Sequence, residues 1–337
     1  MRCSYLLFII LLASCESTAD RRDRFFNKAN LALEKGSYES AVQLYNQSLK
    51  ADPDYALALN NRGVARSELG HKHEAILDYN QAIIRKPGYL GALFNRAYAY
   101  EAIGQYKNAL DDVTEIKNQV PDSAFVFFYE GLVLTKMRAY DRAYEAFIIS
   151  DSLDSFNPET MVNMATIHYF KKEFDEAKDL SGKVLSLEPT NADAYNLLSL
   201  IELENYNYRE ALVEINRALD EEPSEPYFLN NRGYVYLQMD SLDLALSDIN
   251  RSIVLNPKNG WAYRNKGIYF FKKQEYARAL DLFLRAEQTT DFIDELFYFK
   301  GLTLEKMDNV GEACQAWKKG IENSEPRSKR AFSQKCG

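Results

Sequence analysis

Six asparagines stand at multiples of 34 residues from one another: Asn27, Asn61, Asn95, Asn163, Asn231 and Asn265. An amide side chain carries a donor and an acceptor close together, so a file of them can pair with the N–H and C=O groups of an extended peptide without reading its side chains. That chemistry is recognition. Residues suited to catalysis are sparse by comparison. The histidines are His71, His73 and His168, and "HKH" falls at a turn between two predicted helices, where capping accounts for it better than metal binding. No HExxH, CxxC, GxSxG or GxxxxGK pattern occurs. Acidic pairs such as Asp111 with Asp112 read as a solvated helix face. The chain is therefore expected not to be an enzyme, and to need no metal, cofactor or small-molecule substrate.

The spacing of 34 extends well beyond the asparagines. Stepping from Ala75 in both directions reaches Ala41, Ala109, Ala143, Ala177, Ala211, Ala245, Ala279 and Ala313, and a second register is always small, from Ala29 and Gly63 to Gly267 and Gly301. "NNRG" at 60–63 returns at 230–233, five periods later. A fixed period of this length is the signature of a repeat architecture. Nine units run without insertion over 22–327, starting at 22, 56, 90, 124, 158, 192, 226, 260 and 294. In each, apolar and small residues recur three and four apart in two stretches, which predicts two amphipathic helices. Gly70 marks the turn between such a pair and Pro87 stops the second helix. Small residues at positions 8 and 20 of the unit let the two backbones approach, while larger ones at 11, 17 and 24 fill the space around them. One hairpin cannot bury its apolar face alone, so each must stack on its neighbours.

These registers resemble the tetratricopeptide repeat family: small at 8, aromatic at 17, alanine at 20, aromatic at 24 and proline at 32, over 306 of 337 residues. The resemblance implies an all-α fold, a right-handed superhelical α-solenoid of nine helix-turn-helix units, followed here by a capping helix over 328–337. Departures are local. Position 32 is Ser155, Asp291 and Glu325 in the fourth, eighth and ninth units, and Gly320 replaces alanine at 27 in the last. The family lines its concave surface with positions 2, 5, 6, 9, 12 and 13 of the first helices. By that register the six asparagines, at position 6, resemble the ladder that holds substrate backbones in some long members; the alternative is that they only solvate a helix surface. Phe94, Tyr98, Phe128, Tyr169, Phe170, Tyr234, Trp261 and Phe271 share that face, as do Phe26, Tyr227 and Tyr298. Aromatic residues of this kind dominate interface energies, the alternative for each being a place in the core. The family's grip on C-terminal carboxylates needs lysine at position 5 and a basic residue at 6, and neither occurs in any unit.

The opening "MRCSYLLFIILLASC" lies outside the repeats. Its apolar run is too short to span a bilayer and has the build of an export signal. "LASC" resembles the lipobox of bacterial lipoproteins. That implies a signal peptide over 1–14, a lipidated Cys15 holding the chain to a membrane through several acyl chains, and a tether over 15–21; the alternative is an ordinary secretory signal. The expected location is the bacterial cell envelope, on the periplasmic face of either membrane or at the cell surface. The net charge of −8, which becomes −9 once Arg2 leaves, argues against nucleic acid as a partner.

An exported chain would retain Cys314 and Cys336 in a disulfide-permissive location. The chain is expected to turn back near Glu325 and Pro326, and each cysteine lies 11 residues from Glu325. In an antiparallel helix pair both would then stand at the same height, about 16 Å from the turn. That symmetry permits a bond worth roughly 3 kcal/mol in the chain-entropy model. The alternative is a buried Cys314 and an incidental Cys336.

Two functions fit a repeat chain without a catalytic constellation. One is a membrane-anchored scaffold that binds extended peptide or protein segments in its concave groove. The other is a structural subunit of a cell-envelope assembly, secretion or pilus machine.

Overall fold

The computed structural model describes residues 17–289 and 292–337. The proposed signal peptide, Cys15 and Asp291 lie outside these. The chain divides into two compact units, one ending at Arg138 and one beginning at Ala139.

In unit one, α1 (Thr18–Glu34) pairs with α2 (Tyr38–Ala51), α3 (Ala56–Glu68) with α4 (Lys72–Arg85), and α5 (Leu90–Ala102) with α6 (Tyr106–Gln119), before α7 (Ala124–Lys136). Each second helix also packs on the first helix that follows it. Unit two begins with α8 (Tyr140–Leu153). Five hairpins follow: α9 (Pro158–Phe170) with α10 (Phe174–Leu187), α11 (Ala192–Glu204) with α12 (Tyr208–Glu221), α13 (Pro226–Gln238) with α14 (Leu242–Leu255), α15 (Gly260–Lys272) with α16 (Tyr276–Glu287), and α17 (Leu296–Lys306) with α18 (Val310–Glu322). The last helix, α19 (Pro326–Lys335), packs on α18 and α17. The fold is all-α, a tandem of helix hairpins, and no strand occurs among the described residues.

Helix α1 starts earlier than the 34-residue frame predicts. Ser17 Oγ accepts from Asp20 N and the Asp20 carboxylate accepts from Ser17 N, a reciprocal cap that draws residues 18–21 of the expected tether into the helix.

The close helix crossings lie where the small residues are. All nine position-20 alanines, Ala41 to Ala313, are fully buried. Where position 8 is glycine, a large side chain at position 24 fills the space it leaves. A methyl at Gly63 would lie 2.5 Å from Tyr79 Cε1 and one at Gly267 equally close to Phe283 Cε1, whereas Ala97 faces a repeat with only Val113 at position 24. Each turn between the helices of a hairpin requires a positive φ at position 15. Gly36, Gly70 and Gly104 supply it in the first three units; Arg138, Lys172, Tyr206, Asp240, Gln274 and Asp308 adopt it in the other six. The following amide reaches back to the carbonyl five residues earlier, as in Ser37 N to Ala32 O and Glu275 N to Phe270 O, closing the C-terminal motif that favours a left-handed residue.

Five charges at position 7 are held by two devices. Arg62, Arg96 and Arg232 each make a bidentate pair with the position-23 aspartate of the same hairpin, Asp78, Asp112 and Asp248. Each also donates to an asparagine on the preceding second helix, Asn46, Asn80 and Asn216. Glu130 and Lys300 instead pair backward, with Lys117 and Glu287. Asp112 is thus 4% exposed and committed to Arg96, which corrects the expectation that the Asp111–Asp112 pair forms a solvated face. Successive helix residues point about 100° apart, so only Asp111 faces water.

The departures in the ninth unit share one cause. Glu325 is buried, and its carboxylate accepts from the backbone N–H groups of Phe297 and Tyr298 at the start of α17 and from Ser328 Oγ. It therefore caps an N-terminus whose amides have no intrahelical partner. A methyl on Gly320 would collide with Glu325 and Ser328, so glycine at position 27 makes room for this cap. Cys314 and Cys336 are joined across α18 and the end of α19, with Cα atoms 5.8 Å apart.

Candidate functional site

Among the position-6 asparagines, what counts is how far each amide is already engaged. In unit one, Asn95 Nδ2 donates to Asn60 Oδ1 (3.0 Å), Asn60 Nδ2 to Asn61 Oδ1 (2.9 Å) and Asn61 Nδ2 to Asn30 Oδ1 (3.1 Å), where Tyr45 Oη also donates. Unit two repeats the relay with the same polarity. Asn265 Nδ2 donates to Asn230 Oδ1 (2.8 Å), Asn230 Nδ2 to Asn231 Oδ1 (3.3 Å) and Asn231 Nδ2 to Asn196 Oδ1 (2.8 Å). These amides join α1, α3 and α5 in unit one and α11, α13 and α15 in unit two. Asn265 is 1% exposed, and its Oδ1 accepts from Arg264 Nε and Nη2. It is a structural residue, and its expected place as a groove contact is corrected accordingly. Asn61 and Asn231 likewise have both polar atoms engaged.

Asn163 differs. Its Nδ2 turns back to Glu159 O (2.8 Å), and it lines an open recess in unit two between α9 and α11. The walls are Val162, Asn163, Thr166, Tyr169 and Phe170 from α9, with Asp193, Asn196, Leu197 and Leu200 from α11. These are positions 5, 6, 9, 12 and 13 of one repeat and 2, 5, 6 and 9 of the next. Asn27 is exposed on α1.

The aromatic residues divide between the groove face and the hairpin interior. Tyr98 is 43% exposed and rests on Tyr129, ring centroids 4.5 Å apart, while Phe94 meets Phe125 at 5.8 Å. Phe128 is half-buried. In unit two Phe170 is 42% exposed and stacks on Tyr140, and Tyr169 packs between Phe170 and Phe174. Phe271 lies half-buried against Tyr276 and Phe299. Tyr234 and Trp261 sandwich the Arg264 guanidinium at 4.7 and 5.1 Å, a cation–π arrangement completed by a bond from Arg264 Nη1 to Asp294 O.

Charge varies along this face of unit two. Tyr169 Oη lies 3.4 Å from Glu204 Oε1, and burial, with the nearby Glu204 and Asp294 charges, pushes its pKa up. Desolvation and then Glu225 raise the pKa of Asp193. Toward the C-terminus Arg327 pairs with Glu295 and lies 4.0 Å over the Tyr298 ring, and Arg330 lines a second recess between α17 and α19 together with Lys335 and its partner Glu305. Position register marks the aromatic and amide groups of the face, and Glu204, Asp193 and Arg264 fall on the same register at positions 13, 2 and 5.

Among the histidines only His168 is committed to structure. His168 bonds Glu173 (2.7 Å) and Tyr144 (3.2 Å) inside unit two. His71 occupies the first cap position of α4, but its side chain makes no cap bond there. No cluster of three His, Cys, Asp or Glu side chains suited to a metal occurs among the described residues, nor any helix long and apolar enough to cross a membrane.

Residues 29–70 match a family model described as TPR repeat, and residues 65–124, 198–260 and 230–292 match one described as tetratricopeptide repeat. Together these spans cover more than half of the chain. A crystal structure of a tetratricopeptide repeat protein from Parabacteroides merdae is 18% identical, with 84% of this chain and 99% of that one covered and a TM-score of 0.56. The APC/C hetero-tetramer Cut9–Hcn1 is 13% identical, with 86% and 55% covered and a TM-score of 0.55. At such identities the likeness is one of fold. No curated protein matches the sequence.

Proposed function

Because the chain belongs to the tetratricopeptide repeat family, we propose that it is a protein-interaction scaffold whose first-helix face binds extended segments of other proteins, and that a lipid on Cys15 holds it in a bacterial cell envelope. The recess between α9 and α11 carries the binding reading. Two successive repeats contribute their groove positions to one concavity that combines exposed aromatic surface, two amides and a carboxylate. Aromatic rings supply contact area at low entropy cost, and the polar groups orient the backbone. The anchor rests on the sequence "LASC" alone.

Selection of a displayed library of random dodecapeptides on the purified protein tests the binding reading. Enriched peptides should lose about tenfold in affinity when Tyr169 and Phe170 are both changed to serine, the loss expected for removing two interface aromatics. No enrichment, or enrichment indifferent to that change, removes the groove as the binding surface. Stoichiometric co-purification with large envelope proteins, combined with the latter result, would favour the machine-subunit role. For the anchor, Cys15→Ala should move the chain from the membrane fraction to the soluble one; retention of the variant in the membrane rules the lipid out.

A further inference from the structure

Position 7 of the repeat sits outside the groove register, on the edge where a first helix meets its second helix. Five of its charges have an opposite charge within the fold. Arg62, Arg96 and Arg232 have a position-23 aspartate, and Glu130 and Lys300 have an opposite charge on the preceding second helix. Met164 and Leu198 carry no charge, and Lys28 is exposed. Lys266 on α15 is half-buried, yet position 23 of its hairpin is Leu282 and the backward position is Ile253. Asn250, the counterpart of the asparagines that serve the three arginines, makes no bond to it.

The groups facing Lys266 add to its charge. Arg278 and Arg285, one turn either side of Leu282 on α16, are near enough to lower its pKa, with desolvation the larger cause. Each arginine has its own acid: Arg278 pairs with Glu275 and lies 3.9 Å over the Phe270 ring, and Arg285 pairs with Asp281 at 3.0 Å. Three cations and two carboxylates leave one positive charge, located on the amine that has no partner. Half-buried charges are ordinarily paired, so this one marks a place that another molecule can complete.

We propose that Lys266, flanked by Arg278 and Arg285, is a docking point on the α15–α16 edge for a carboxylate side chain of a partner protein. The single residual charge matches a monoanion rather than a phosphate dianion. Carboxylates also satisfy four other cations of this column: Asp78, Asp112, Asp248 and Glu287 serve Arg62, Arg96, Arg232 and Lys300. The incoming group would replace the aspartate that Leu282 displaces, approaching from solvent.

The full exported chain, carrying ¹³Cε-labelled lysine, can be titrated with capped hexaglutamate, capped hexaglutamine and inorganic phosphate while the Lys266 resonance is followed. Hexaglutamate should shift the resonance and raise the Lys266 pKa, and hexaglutamine should not. Lys266→Met should weaken hexaglutamate binding roughly tenfold, the scale of losing one charge-assisted bond. Lys272→Met, which removes an exposed lysine paired with Asp240, should change it less than about twofold. An unmoved Lys266 resonance, or affinity indifferent to Lys266→Met, overturns the site. Displacement of hexaglutamate by phosphate at equal concentration overturns the carboxylate assignment.

Discussion

Asp112→Ala should destabilise the α5–α6 hairpin by about 2–3 kcal/mol, and the reason lies in what it leaves behind. Arg96 Nε donates to Asp112 Oδ2 at 2.9 Å, its Nη2 donates to the other oxygen, and Nη1 donates to Asn80. The two side chains are 20% and 5% exposed. Burial raises the Asp112 pKa against the pull of Arg96, so desolvation consumes much of the pair's attraction. The pair then adds little net stability, but removing one partner strands the other. Breaking a buried pair costs about 3–5 kcal/mol, and the lower value here allows for the residual exposure of Arg96 and its bond to Asn80. Replacing both members, Arg96→Leu with Asp112→Leu, should recover most of the loss, to within about 1 kcal/mol of the parent. Because repeat arrays can unfold piecewise, hydrogen exchange of the α5 and α6 amides is a better assay than one global midpoint. A single variant within about 0.5 kcal/mol of the parent, or a double variant as weak as the single, refutes the argument.

Glu325 supplies a pH prediction. Burial raises its pKa in spite of the bonds from Ser328, Phe297 and Tyr298, so folding favours the protonated form. That contribution is complete below the unfolded value of about 4.3 and is lost as pH rises through the folded value; exchange in α17–α19 should slow with acidification relative to Glu325→Gln, and parallel profiles would count against it. Cys314→Ser should destabilise α18–α19 by roughly 3 kcal/mol, and reductant should reproduce the effect in the parent without changing the variant; unfolding curves with and without reductant decide this. Gln274→Gly should stabilise the α15–α16 hairpin by roughly 0.5–1 kcal/mol, because its φ of 60° suits glycine; denaturant midpoints check the sign.

The hairpins were legible because their signal is spread over many positions at once. Nine alanines at position 20 can coincide for one reason only, a crossing too close for anything larger, and all nine are buried. The partners of polar groups were less legible. Asp112 looked like half of an exposed pair because its neighbour in sequence is acidic, while the residue that decides its role, Arg96, lies 16 positions away. Reading register 23 against register 7 would have found it, since Asp78 faces Arg62 and Asp248 faces Arg232 in the same way. Gly320 and Glu325 were visible as departures, but their common cause is a contact with α17 and α19 that no periodicity encodes.

The recurring "NNRG" shows how tightly one helical turn can be committed. In Asn60-Asn61-Arg62-Gly63 the amides join neighbouring first helices, the arginine clamps α3 to α4, and the glycine admits Tyr79. Asn230-Asn231-Arg232-Gly233 repeats these roles, with Ile249 in place of the tyrosine. This commitment constrains recognition. An amide that donates one Nδ2 hydrogen within the fold keeps its second N–H and its oxygen for a ligand. Asn95 and Asn163 are in that state, one N–H of each being held, by Asn60 Oδ1 and by Glu159 O. Against either residue an extended segment can donate an N–H to the amide oxygen and accept the one remaining N–H on a carbonyl, and the bond already made fixes the direction in which that N–H points.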